Sequence, residues 1–109
     1  MSKADVLAAL ETDMNDPGAY KSGEYLEEHV LMHAQWFLPV DRSGLIEALR
    51  EWLSLRSEPR TMLAVKIALE LGLKEIRSDI EALRLEVASG KIFPIFYLND
   101  IDYVLNGLL

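Results

Sequence analysis

Apolar residues recur along most of this chain at the three- and four-residue spacing of one face of an α-helix. No segment alternates between apolar and polar positions for long enough to form a strand, and the one ambiguous run, residues 92–98, contains Pro94. The pattern therefore predicts an all-α fold of about six helices, with neighbouring helices packed as antiparallel hairpins. The predicted helices span residues 4–11, 23–37, 43–55, 59–71, 74–88 and 95–106.

Local signals predict where these helices begin and end. Ser2 and Ser22 are the expected N-caps of the first and second helices, and Pro39 is the expected stop of the second. Residues 13–18 are rich in turn formers and predict a loop, while residues 92–94 predict an extended link because proline disfavours helix at the residue before it. The fourth helix is apolar on nearly all sides, so we expect it to be the most buried element.

The second helix carries two adjacent apolar stripes instead of one. A helix with so wide an apolar surface is expected to pack against more than one neighbour. The two stripes are Leu26, Val30, His33 and Phe37, and Tyr25, His29, Met32 and Trp36.

The size and composition of the chain limit what it can be. Its 109 residues predict a single helical domain over residues 1–109, large enough to bury a core without covalent cross-links. Because the chain has no cysteine, disulfides, thiolate metal sites and cysteine nucleophiles are excluded. No secretory signal pattern and no long apolar run is evident, so cytoplasmic residence is the expectation.

Negative charge dominates the chain and is unevenly distributed. The net charge is −7 and the isoelectric point about 4.7, which argues against nucleic acid or an anionic membrane as the main ligand. Residues 1–41 carry a net −6, residues 42–91 a net +1 and residues 92–109 a net −2. Acidic ends therefore flank a near-neutral middle, a distribution that suits a basic partner.

His29 and His33 form the most obvious candidate metal site. A spacing of four places both imidazoles on one side of a helix. However, Val30 occupies the position where zinc proteases have glutamate, and the chain has no third histidine. Both histidines also lie within apolar stripes, so we expect packed histidines and no metal.

Catalytic signatures are otherwise missing from the sequence. It contains no serine nucleophile elbow, no P-loop and no dinucleotide fingerprint, and its six glycines are isolated. Close carboxylate pairs such as Glu27 and Glu28 are expected by chance among 18 acidic residues. We therefore expect neither enzymatic activity nor a cofactor.

The fourth and fifth helices together resemble a HEAT-like helical repeat. The fourth ends in Leu71-Gly72, with Gly72 expected at the left-handed C-terminal position, and a second amphipathic helix of similar length follows. This resemblance implies three hairpins stacked as a small right-handed helical array.

Residues 58–105 resemble the small all-helical immunity proteins that are encoded beside toxins of bacterial contact-dependent growth inhibition and related polymorphic toxin systems. The most particular part of the likeness is the Gly-Lys-x-Phe-Pro sequence from Gly90 to Pro94, which follows the HEAT-like pair and precedes a closing helix.

The resemblance implies that the chain binds one cognate toxin domain in the cytosol and occludes its active site without doing chemistry. Such toxins are frequently nucleases with basic clefts, and an acidic inhibitor imitates the phosphate backbone and associates fast. A deaminase or a pore-forming toxin stays open as the target. The expected partner-binding residues are acids and nearby aromatics: Asp13, Asp16, Glu24, Glu27, Glu28, Tyr97, Asp100, Asp102 and Tyr103.

Two other classes of function stay open at this point. The chain could be a HEAT-like adaptor that binds an endogenous protein, which the charge fits almost as well. It could also be a small helical enzyme or metal protein that uses His29 and His33. A toxin gene directly beside the gene for this chain would favour the immunity hypothesis over both.

Overall fold

The computed structural model describes residues 2–16 and 23–109, and it confirms the all-α prediction. Within those residues the chain forms six α-helices and no strand. The expected cap Ser22 and the Pro17-Gly18 turn lie outside the described residues. The helices are α1 (Lys3–Met14), α2 (Gly23–Val40), α3 (Arg42–Ser54), α4 (Glu58–Leu71), α5 (Arg77–Ala88, preceded by a 3₁₀ turn at Lys74–Ile76) and α6 (Tyr97–Gly107).

The chain divides into two compact units whose boundary falls inside α3. Unit N comprises residues 1–48 and unit C comprises residues 49–109. In unit N, α1 packs against α2, and in unit C, α6 packs against both α4 and α5. The single domain over residues 1–109 and the HEAT-like right-handed array stay predictions.

Helix α1 begins where the sequence predicts but continues further. The Ser2 hydroxyl accepts the Asp5 N–H at 3.4 Å, and the Asp5 carboxylate accepts the Ser2 N–H at 3.0 Å, which together form a capping box. The prediction that residues 13 and 14 belong to a loop is wrong. Asp13 and Met14 are helical and buried together with Leu10, so burial against α2 extends the helix by nearly one turn.

Helix α2 runs through Pro39 to Val40, so the predicted stop at Pro39 is wrong. Proline ends a helix because it lacks the N–H that bonds the carbonyl four residues back. Because Pro39 lies in the last turn of α2, its missing N–H removes only one hydrogen bond at the end of the helix. The helical pattern continues beyond Pro39, since the Asp41 N–H bonds the Phe37 carbonyl at 2.8 Å.

The prediction that α4 is the most buried element is wrong, since α3 buries seven of its 13 residues, a slightly larger fraction than α4. Half of the 14 residues of α4 are buried, including Thr61, which is fully inaccessible to solvent. Thr61 satisfies its hydroxyl by donating to the Trp52 carbonyl at 2.8 Å, which links the start of α4 to α3 within unit C. The buried residues are Thr61, Met62, Leu63, Ala64, Val65, Ile67 and Ala68.

The segments that join α5 to α4 and to α6 confirm one prediction and contradict another. Gly72 ends α4 with a φ of +64°, the left-handed position predicted for it. The prediction of an extended backbone at Phe93 is wrong, because its φ is +56°. Pro94 disfavours only the right-handed helical region at Phe93, and the left-handed residue precedes a turn in which the Tyr97 N–H bonds the Pro94 carbonyl at 3.2 Å.

Arginine side chains connect the helices of unit C through ion pairs. Arg50 on α3 and Arg84 on α5 each pair with an acid on another helix, and Arg56, in the turn after α3, pairs with an acid on α5. The partners lie 18 to 30 positions apart in the chain. Basic residues of the near-neutral middle are thus neutralised by acids on neighbouring helices. The pairs are Arg50 with Asp79, Arg56 with Glu86, and Arg84 with Asp102.

Replacing Gly72 tests the left-handed end of α4. An added Cβ would meet no atom within 4 Å, so the substitution Gly72→Ala introduces backbone strain and no clash. We expect it to lower the free energy of unfolding by about 1–2 kcal/mol, measured by urea denaturation. Gly72→Asn is the matched control and should lose less, because asparagine tolerates this conformation. Equal losses for the two variants would contradict a strain mechanism.

Candidate functional site

The predicted site residues fall into two groups that belong to different units. Five of them lie on or next to α1 and α2 in unit N, and four lie on α6 in unit C. The unit N group is Asp13, Asp16, Glu24, Glu27 and Glu28, and the unit C group is Tyr97, Asp100, Asp102 and Tyr103.

Asp13 is buried, and its carboxylate is engaged within unit N. Asp13 is 7% exposed, and its Oδ2 lies 2.5 Å from Nδ1 of His33. A buried carboxylate requires such a partner, because removal from water without one is costly. The contact joins the end of α1 to the middle of α2, and a partner protein could reach this carboxylate only if the pair opened.

The two histidines of α2 have neighbours that differ in kind. His33 contacts Asp13, whereas the His29 ring lies 4.4 Å from the Tyr25 ring, centroid to centroid. The His29 and His33 rings are 6.5 Å apart and edge to face. In the described part of the chain, no three histidine, aspartate or glutamate side chains are grouped so that they could hold a metal ion.

The other acids of unit N differ in exposure. Glu28 is exposed, while Glu27 and Asp16 are partly buried. Glu24 is the second residue of α2, but its side chain lies outside the described residues. Helix α2 contains no lysine or arginine, and its acidic positions are Glu24, Glu27 and Glu28.

Tyr97 is anchored at the start of α6. Its hydroxyl donates to Oε1 of Glu58 at 2.6 Å, which links α6 to the first turn of α4. Its ring lies 4.5 Å from the Phe96 ring and 6.2 Å from the Phe93 ring, centroid to centroid. The hydrogen bond to Glu58, with some burial, raises the pKa of Tyr97 to about 12.

The remaining α6 residues separate into one paired acid and an exposed face. The Arg84 guanidinium donates to Asp102 at 2.5 Å and lowers the pKa of that carboxyl. Asp100 is exposed, and Tyr103 is 71% exposed. Together with Phe96, also exposed, they follow one another at spacings of four and three, so they share a side of the helix that we call the α6 face.

The predicted set omits the large exposed side chains of α2. Met32, Trp36 and Val40 are all more than half exposed, although they belong to a helix whose opposite side is buried. The second apolar stripe of this helix was the signal that could have identified them. The prediction that this stripe packs against a second neighbour is wrong for Met32 and Trp36, which the structure leaves on the surface.

Comparisons with known proteins assign this chain to no family. No family model, curated protein or solved structure matches the chain. Among the described helices, none combines the length and the apolar character needed to cross a membrane.

The Asp13–His33 contact predicts a measurable coupling in stability. Asp13→Asn should lower the free energy of unfolding by about 1–3 kcal/mol, since it weakens a charge-assisted bond at a buried site. His33→Ala should cost a similar amount because it leaves a buried carboxylate without its partner. The double variant should lose less than the sum, measured by urea denaturation. Asp100→Asn, an exposed control, should change stability by less than about 0.5 kcal/mol, and additive losses would contradict the contact.

The alkaline titration of Tyr97 gives a second prediction. Ultraviolet absorbance should show one of the four tyrosines ionising near pH 12 instead of near pH 10. Tyr97→Phe should remove this late phase, and Glu58→Gln should move it toward pH 10. Because the folded-state pKa is raised, the stabilisation is complete below about pH 10 and is lost as the pH rises toward about 12. A single transition near pH 10 in protein that circular dichroism shows to be folded would contradict the hydrogen bond.

Proposed function

We propose that this chain is a bacterial immunity protein, which binds a cognate toxin domain in the cytosol and blocks its active site. In this proposal the toxin is a nuclease of a contact-dependent or related polymorphic toxin system. The chain contributes no chemistry and acts by occlusion. The proposal extends the resemblance of residues 58–105 to such proteins.

The observation that carries the proposal is the separation of charge between the units. Unit N holds nine acidic residues against three basic ones, a net charge of −6, whereas unit C holds nine against eight, a net −1. In unit C, arginines pair with acids on other helices. The uncompensated charge therefore belongs to unit N, where it can attract a basic cleft over a distance of about one Debye length.

The proposed inhibition uses carboxylates as substitutes for substrate phosphates. Glu28, with Glu27 and Asp16, would face the lysines and arginines that hold the nucleic acid in the toxin's cleft. Exposed aromatic residues such as Tyr103 on the α6 face would supply apolar contact area, which charge alone does not. Long-range attraction raises the association rate, and desolvated contacts slow dissociation.

Coexpression with the neighbouring toxin tests the proposal. The gene beside that of this chain should encode a large protein whose C-terminal domain stops bacterial growth, and the chain should restore growth. The purified pair should form a complex whose association rate falls as salt is raised. Glu27→Lys with Glu28→Lys should slow association by about tenfold or more without changing helicity.

A variant with the same change in total charge shows whether the position of Glu27 and Glu28 matters or only the net charge of the chain. Glu70→Lys with Glu75→Lys changes the total charge equally, at exposed positions of unit C outside the predicted set, and should keep most of the protection. Equal effects of the two double variants would contradict the proposed surface. The lack of any growth-inhibiting neighbour, together with a stable complex with an endogenous protein, would overturn the proposal in favour of the adaptor hypothesis.

A further inference from the structure

Helix α2 carries an exposed apolar seam that no part of the described chain covers. Tyr25, His29, Met32 and Trp36 follow one another at spacings of four, three and four, and we call these residues the α2 seam. Met32 is 54% and Trp36 57% exposed. The spacing is that of the a and d positions of a coiled coil, so the surface has the form that a second helix packs against.

The opposite side of α2 carries a second row of apolar residues, and this row is buried. Val30, Ala34 and Phe37 follow at spacings of four and three, and all three are buried. Two seams of the same helical spacing thus lie on one helix, and only one of them is buried. A contiguous row of large apolar side chains at the surface is typical of an interaction site.

Rings of the seam contact neighbouring rings of the same helix. Trp36 packs edge to face on the buried Phe37 at 5.1 Å, and Tyr25 lies against His29 at 4.4 Å. Side chains that such contacts restrict lose less conformational entropy when they are buried in an interface. Trp36 and Met32 are also residue types that are enriched at the centres of protein interfaces.

Charge selects among the possible occupants of the seam. Helix α2 has three glutamates and no lysine or arginine, and unit N carries a net −6. Exposed Glu28 lies three residues after Tyr25 and four before Met32, at the edge of the seam. A second copy of this chain would bring like charge to that edge, and an anionic lipid surface would be repelled in the same way.

We propose that the α2 seam docks a basic amphipathic helix of the partner protein. The inference rests on the proposed function for the basic character of the partner, and it names the element of the partner that makes the contact. The docked helix presents apolar residues at heptad spacing to Met32 and Trp36, with lysine or arginine beside Glu28. From Tyr25 to Trp36 the seam extends about 17 Å, so the docked helix has about three turns or more.

A synthetic peptide tests the seam without the toxin. The probe is a labelled helical peptide of about three heptads, with leucine at a and d and lysine at e and g; its control has glutamate in place of lysine. The basic peptide should bind and shift the emission of Trp36 to the blue, because Trp52 is already fully buried. The acidic peptide should not bind.

Substitutions that leave the net charge unchanged test whether the peptide binds at the α2 seam or is only attracted to an acidic protein. By fluorescence anisotropy of the labelled peptide, Met32→Ala and Trp36→Ala should each weaken binding by about tenfold or more. Leu85→Ala, at a residue of unit C that is 70% exposed, is the matched control and should leave binding unchanged. Binding that is unaffected by Met32→Ala and Trp36→Ala would overturn the proposal.

The same variants distinguish failure of the seam from failure of the proposed function. If the chain neutralises its toxin and the seam variants protect equally well, the seam proposal is overturned and the proposed function stands. If the basic peptide binds the seam but the chain neutralises no neighbouring toxin, the proposed function is overturned and the seam proposal stands. If sedimentation shows a dimer that Trp36→Ala dissociates, a second copy is the occupant and the basic helix is overturned.

Discussion

The helices of this chain are 11 to 18 residues long, and helices of that length are stable only when an apolar side is buried. This constraint accounts for most of the architecture. Helix α6 buries Ile101, Val104 and Leu105, and α4 is buried along half its length. Helix α2 meets the requirement with one of its two apolar seams. No part of the described chain covers its second seam, and this exposed apolar surface is the physical reason for the partner that we propose.

The two units differ in how far basic residues balance their acidic residues. In unit C, arginine pairs such as Arg84 with Asp102 join neighbouring helices and leave a net charge of −1. Unit N has too few basic residues to pair its acids, and it accommodates the buried Asp13 through His33. The attraction that we propose for a basic partner therefore belongs to unit N, and the α2 seam lies in that same unit.

Sequence spacing predicted the helices well and their ends less well. A long apolar repeat indicates a helix reliably, because many residues contribute to it. The position of a helix end depends on the preferences of one or two residues. Burial of Met14 outweighed turn-forming neighbours, and Pro39 in a last turn cost only one hydrogen bond. The acids and tyrosines of the candidate site can be identified in the sequence, and their role in binding stays a prediction. The Asp13–His33 contact was not, because its partners are 20 residues apart.

By itself, the sequence determined the helical class, the presence of two apolar stripes on α2 and the excess of acid in the first part of the chain. These properties depend on residue counts and on spacing within a few turns. Only the tertiary structure decided which stripe of α2 is buried, which acids are paired and which are exposed. Burial and pairing depend on what lies opposite each side chain, and residues distant in the chain determine that.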